Sequence, residues 1–120
     1  MRTIKFRGKR KDNGEWVYGY FVGNNLIYNP NVKEGAVCWF EVLSETVGQF
    51  TGLYDKNGVE IYEGDIVRCN DGSLQEVYFN ECAFVCKSLG TEQTDDDWMI
   101  ENDDEVIGNV HERSEIHELD

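Results

Sequence analysis

The amino-acid sequence predicts a mainly β protein with little helix: an N-terminal hairpin or meander followed by a small, partly open, SH3-like β-barrel. Three observations predict it. Ile4 and Phe6 alternate with Lys5, Arg7 and Lys9, a period of two that separates an apolar face from a basic one. Turn signals recur at short intervals, at Asp12-Asn13-Gly14, Asn57-Gly58, Glu63-Gly64-Asp65, Asn70-Asp71-Gly72 and Asn80-Glu81. The later runs between them are four to six residues long and rich in β-branched or aromatic side chains.

Taken in order, residues 4–9 and 15–22 form a hairpin about Asp12-Asn13-Gly14, the second run being Glu15-Trp16-Val17-Tyr18-Gly19-Tyr20-Phe21-Val22. Gly23-Asn24-Asn25 reverses the chain again, Leu26-Ile27-Tyr28 continues the meander, and Asn29-Pro30-Asn31 ends it ahead of a loop over 31–36. Residues 37–42 read as a short strand. Ser44-Glu45-Thr46 resembles a helix start, but Gly48 limits it to one turn and an irregular link. Strands follow at 59–62, 66–69, 74–79 and 82–87, with a last one at 105–111. Gly64-Asp65 before Ile66 and Val67 is the sharp bend that a small barrel needs, and glycine permits it. Residues 91–104 form an acidic loop that Trp98-Met99-Ile100 pins to the body, and 114–119 either form a terminal helical turn capped by Ser114 or fray. The whole of 1–120 is one domain, with a hairpin region over 1–45 and a barrel region over 46–120.

The run from Glu45 to Val67, with Ile4-Lys5-Phe6-Arg7 before it and Val106-Ile107-Gly108-Asn109-Val110 after it, resembles the YopX family of small phage and prophage proteins. Ser44 stands where relatives are expected to carry a proline, and Phe50 where tyrosine is common. The resemblance implies a fold and a context, phage or mobile-element cargo in the bacterial cytosol. It implies no catalytic, cofactor-binding or metal-binding residues.

A chain of 120 residues buries about two-thirds of its unfolded surface without a metal or disulfide staple. No apolar run approaches the length of a membrane span, so the expectation is a soluble, cytoplasmic protein. Cys38, Cys69, Cys82 and Cys86 read as small apolar residues, buried or half-buried. With residues 82–87 as a strand, Cys82 and Cys86 stand about 13 Å apart, too far to bridge. No close Cys or His pair lies on a turn, so no zinc site is predicted. The net charge of −13 is uneven: Arg2, Lys5, Arg7, Lys9, Arg10 and Lys11 supply six of eleven bases, while residues 88–120 carry twelve acids against Arg113 alone. Such a balance opposes general nucleic-acid binding.

Candidate chemistry thins out under its own geometric requirements. His111 and His117 are six apart, whereas the metalloprotease helix places its second histidine four after the first, at Glu115 here. Asp95, Asp96, Asp97, Asp103 and Asp104 offer oxygen ligands, but an EF-hand loop begun at Asp95 would meet Ile100 where glycine belongs and Val106 where glutamate belongs. A solvated acidic loop is the better reading. Tyr62, Glu63 and Asp65 suggest an acid–base pair, yet aspartate after glycine more often accepts backbone amides to fix a bend. Lys5, Arg7 and Lys9 beside Trp16, Tyr18 and Tyr20 suggest phosphate and base contacts, but these aromatics alternate as core residues do. No phosphate loop, dinucleotide fingerprint or nucleophile elbow occurs.

The reading is therefore a non-enzymatic accessory protein of phage or prophage origin that acts by binding, with no cofactor or metal. The basic N-terminus and acidic C-terminal third favour self-association as a homo-oligomer. Two alternatives remain: an acidic DNA mimic that inhibits a host DNA-binding protein, and a nucleotide-binding or nucleotide-sequestering barrel.

Overall fold

A computed structural model describes residues 5–23, 25–30, 39–80, 82–88, 99–101 and 103–115. The chain is mainly β, as expected. Ten strands among the described residues form two antiparallel sheets, in hydrogen-bonded order β4-β3-β2-β1-β5-β6 and β10-β7-β8-β9. They are β1 (Phe6–Lys9), β2 (Trp16–Phe21), β3 (Leu26–Tyr28), β4 (Trp39–Glu41), β5 (Gly48–Tyr54), β6 (Glu60–Tyr62), β7 (Asp65–Arg68), β8 (Leu74–Asn80), β9 (Ala83–Ser88) and β10 (Glu105–Asn109). The sheets are open, and the described strands close no barrel. Among the described residues helix is confined to 3-10 stretches at Ser44–Thr46 and Val110–Glu115. The chain divides into two compact units, Met1–Phe50 and Thr51–Asp120, and the division falls inside β5. At the start of β5, Gly48 and Gln49 pair with Arg7 and Phe6 on β1.

In the first unit the β1–β2 reversal is closed by Arg10 N–H donating to the Glu15 carbonyl at 2.8 Å, and Asn13 Oδ1 accepts from the Glu15 amide at 2.9 Å. Gly14 takes the positive φ of 74° that the turn requires. Register then alternates the faces. Ile27 and Val42 are fully buried, and Gly8 lies so close beneath them that a Cβ there would sit 3.0 Å from Val42. Thr46 fastens the end of β1: its Oγ1 accepts from the Lys9 amide at 2.8 Å and donates to the Leu43 carbonyl at 2.6 Å. The loop over 31–36, Val37 and Cys38 lie outside the described residues.

The second unit is built on a core of Ile61, Val67, Val77 and Cys86, against which Cys69, Ile100 and Val106 pack. Two buried aspartates organise its backbone. Asp65 Oδ2 accepts from the Tyr62 amide at 2.7 Å and fixes the Gly64 bend, where φ is 93°, as the sequence predicted. Asp55 reaches further: Oδ1 accepts from the amides of Asn57 (2.8 Å) and Val59 (2.9 Å), and Oδ2 from the amide of Val106 on β10 (3.0 Å). One carboxylate thus ties the β5–β6 turn to a strand about fifty residues away in sequence. Burial alone would raise the Asp55 pKa, but the amides of Val106, Val59 and Asn57, with Lys56 nearby, outweigh it and hold the group below its ordinary 3.8.

Several expectations need correction. Cys82 sits in the β8–β9 turn with φ 68° and is exposed, because a reversal there needs a left-handed residue; it is neither half-buried nor on a strand. Cys69, Cys82 and Cys86 are all free thiols. The last strand ends at Asn109, whose Oδ1 accepts from the His111 amide and turns the chain into the 3-10 stretch. That stretch begins at Val110 rather than at Ser114. Of the trio expected to pin the acidic loop, Ile100 packs on the core, Met99 is 81% exposed, and Trp98 lies outside the described residues. Most of the loop over 91–104, Asp95 to Asp97 included, lies outside them too, as do His117 and the end of the expected terminal turn.

Two measurements check these assignments. A carboxyl with a depressed folded pKa contributes stability above its ordinary value and loses it as pH falls through the folded value. The urea midpoint should therefore fall as pH drops below about 4. Asp55→Asn keeps one acceptor oxygen and loses the charge, so it should cost about 1–2 kcal/mol at neutral pH and flatten the acid limb. An unaltered acid limb contradicts the role given to Asp55. Burial first, and then the Asp104 carboxylate, push the Cys86 thiol up to about 12 and Cys69 to about 11. In a Cys38→Ser background at mildly alkaline pH, Cys82 should be alkylated at least about tenfold faster than either. Equal rates at Cys82 and Cys86 would refute the placement.

Candidate functional site

Register decides which side chains of the first unit face outward. Gly19 opposes Phe6, Ile27 opposes Phe21 and Phe40, and these residues share the face that buries Ile27. The alternate residues share the other face. There Tyr20 opposes Tyr28, Tyr28 opposes Trp39, Tyr18 opposes Arg7, and Trp16 opposes Lys9. The result is an aromatic row across β2, β3 and β4, bordered by the bases of β1.

Its members are held at contact distances and open to solvent. The Tyr28 and Trp39 rings lie 4.7 Å apart between centroids, tilted by 34°. Tyr20 is 53% exposed, Trp39 50% and Tyr18 42%. Alternation places Tyr18 and Tyr20 in the core; the alternation is real, but Ile27 is buried on the other face, the one that carries Val17, Gly19 and Phe21, and Phe21 at the sheet's margin is itself 39% exposed. Arg7 corrects the reading in the opposite sense, being only 7% exposed. Its guanidinium lies 4.9 Å from the Trp16 ring centre, and Lys5 Nζ lies 5.5 Å from that of Phe50. The β1 bases are thus partly committed to aromatic faces, which weakens the picture of three solvated cations gripping phosphate.

At the edge of the row Arg10, Lys11, Asp12, Trp39, Phe40 and Glu41 border a cleft of about 430 Å3. Arg10 pairs with Asp12 through two hydrogen bonds, Nε to Oδ1 at 2.9 Å and Nη2 to Oδ2 at 2.7 Å, and this contact leads in holding the Asp12 carboxyl below its usual range. The guanidinium also lies 5.0 Å from the Phe40 ring centre, and Lys11 Nζ is 3.5 Å from Glu41. These exposed pairs add little stability but leave a mixed polar rim around an exposed indole.

The residues weighed for catalysis do not assemble. Asp65 is buried and spends Oδ2 on the Tyr62 amide, while the Tyr62 hydroxyl donates to Glu60 at 3.0 Å. Among the described residues no three His, Cys, Asp or Glu side chains converge as metal ligands. No described helix is long and apolar enough to cross a membrane.

The family model described as YopX protein matches residues 5–118, nearly the whole chain. The chain belongs to the YopX family. The YopX chain is also similar to the crystal structure of protein EF1440 from Enterococcus faecalis, with a TM-score of 0.54 and 25% sequence identity over 96% of this chain and 98% of that one. No curated protein matches it. The aromatic row was visible in the sequence as Trp16, Tyr18 and Tyr20; its extension through Tyr28 and Trp39 depended on strand register, which no local signal gave.

That register depends on Gly19. A Cβ at this position would lie 2.1 Å from the Tyr28 carbonyl oxygen, a backbone atom that cannot step aside. Gly19→Ala should therefore cost about 2–3 kcal/mol and increase acrylamide quenching of the Trp39 fluorescence, since β3 can no longer lie flat on β2. A variant with unchanged stability would show that β2 and β3 do not approach as described.

Proposed function

We propose that this YopX protein is a non-enzymatic accessory protein of phage or prophage origin that acts by binding, as a homo-oligomer. The observation that carries the reading is the Tyr20, Tyr28 and Trp39 row, three rings on one outward sheet face with two of them half exposed. Tyrosine and tryptophan supply large contact areas at small conformational cost and dominate protein contact surfaces. Outward rings give a folded monomer little and an interface much.

A second copy of the chain is the occupant best supported by charge. Lys11 at the rim and the bases of β1 sit in the unit that carries six of the eleven bases before residue 12, while twelve acids follow residue 87. The basic segment of one copy therefore attracts the acidic segment of another, and the aromatic row supplies the apolar centre that such steering needs. The phage context is the one the family resemblance implies.

Sedimentation equilibrium tests the reading. The wild-type chain should form a defined oligomer at micromolar concentration, loosened by high salt. Trp39→Ala and Tyr20→Ala should each weaken association by at least about tenfold, with the unfolding midpoint nearly unchanged because both side chains are exposed. A wild-type chain that stays monomeric at all concentrations, or variants that associate as wild type does, would remove the support.

A further inference from the structure

An open sheet ends in strands that bond on one side only, and each such edge is a template for a further strand. Among the described residues the two sheets have four of these edges, β4, β6, β10 and β9, and the first three are blunted. β4 is met by the residues after β1: the Lys11 amide donates to the Glu41 carbonyl at 3.0 Å, and Arg10 bridges to Val42. β6 is three residues long, and Asp65 takes its Tyr62 amide. β10 carries a bulge between Val106 and Gly108, and Asp55 takes its Val106 amide.

β9 has none of these protections. Ala83–Ser88 is six residues long, without proline or glycine, and pairs with β8 in one unbroken register from Asn80 opposite Ala83 to Gln75 opposite Ser88. Its only charge is Lys87, whose Nζ lies 4.7 Å from the centre of the Tyr78 ring on β8. The ladder also says which backbone groups are left over. The Cys69 amide donates to the Ser73 carbonyl at 2.8 Å, so in this register Ser73, Gln75 and Val77 turn their backbone groups to β7. Glu76, Tyr78 and Asn80 turn theirs to Lys87, Val85 and Ala83. The amides and carbonyls of Phe84 and Cys86 therefore point away from β8, and among the described residues no other backbone hydrogen bond reaches them.

We infer that β9 pairs antiparallel with β9 of a second copy about a two-fold axis, joining two sheets of four strands into one of eight. This contact lies wholly within the unit Thr51–Asp120 and shares no residue with the aromatic row, so it goes beyond the reading given above. Charge and closure select a second copy as the occupant. In a chain of net charge −13, β9 carries no acid, so two copies meet there without setting carboxylate against carboxylate. Residues directly opposite must share a sheet face, which leaves two registers of fullest overlap, centred on Val85 or on Cys86. Both place apolar residues together and Lys87 opposite Ala83 or Val85 of the other copy. The joined sheet then ends at both sides in β10, the blunted strand, so the assembly through this edge closes at two. A lone strand from another protein would leave an edge of its own.

Amide exchange read residue by residue by NMR tests the pairing, over a dilution series from millimolar to micromolar protein. The full-length Trp39→Ala variant is used, so that the aromatic row is weakened and the two contacts are read apart. Phe84 and Cys86 amides should exchange at least about tenfold more slowly at the top of the series than at the bottom, while Val85 and Lys87 amides, bonded to β8, stay slow throughout. Sedimentation equilibrium of the same variant should show a dimer. Adding Val85→Lys should weaken that dimer by at least about tenfold with the unfolding midpoint nearly unchanged, since the new charge meets its own copy across the axis in one register and Lys87 in the other. Should that addition prevent folding, the exchange pattern of Trp39→Ala decides alone. Fast exchange at Phe84 and Cys86 at every concentration, protection there that ignores concentration, or a dimer that Val85→Lys leaves intact would overturn the proposal. A wild-type assembly that Trp39→Ala leaves unchanged, with the β9 pattern present, counts against the aromatic row alone.

Discussion

The burial of Ile27 and Val42 over Gly8 is the constraint on which the first unit depends. Side chains on a strand alternate with a period of two, so a slip of one residue would expose Ile27 and bury Tyr28. The close approach at Gly8 leaves no room for that slip. Once Ile27 faces inward, Tyr20, Tyr28 and Trp39 must face outward, and the aromatic row follows from the core rather than from any local preference of its own residues.

The second unit solves a different problem with different chemistry. Its strands are short and its turns numerous, so many backbone amides lie at element ends without a ladder partner. Asp55 and Asp65 take up amides of Asn57, Val59, Val106 and Tyr62 in a chain whose surplus of acids is otherwise an electrostatic burden. Carboxylates that would repel one another in solvent serve here as acceptors inside the fold. This explains how a protein with a net charge of −13 can place acids at its bends without opening them.

Much of this was legible in the sequence, and what was not has definite causes. The turns at Gly14, Gly23, Gly58, Gly64 and Gly72 were legible because each requires positive φ and glycine supplies it. The role of Asp65 was legible because its partner is three residues away. The reach of Asp55 to Val106 was not, since pairing across fifty residues leaves no local trace. The outward face of β2 was misread because alternation gives two faces without saying which is buried. The burial of Arg7 likewise depends on a neighbouring strand, where the Trp16 ring lies against its guanidinium. Family membership was carried by the contiguous run from Glu45 to Val67, whose turn pattern is long enough to be distinctive.

The claim that outward rings make this protein a contact module is tested most directly by hydroxyl-radical footprinting across a dilution series. Tyr20 and Trp39 should become less reactive as protein concentration rises, while Tyr54 and Phe79, about equally exposed but outside the row, stay constant. Reactivity at Tyr20 and Trp39 that is independent of concentration, or that falls equally at all four residues, would contradict it.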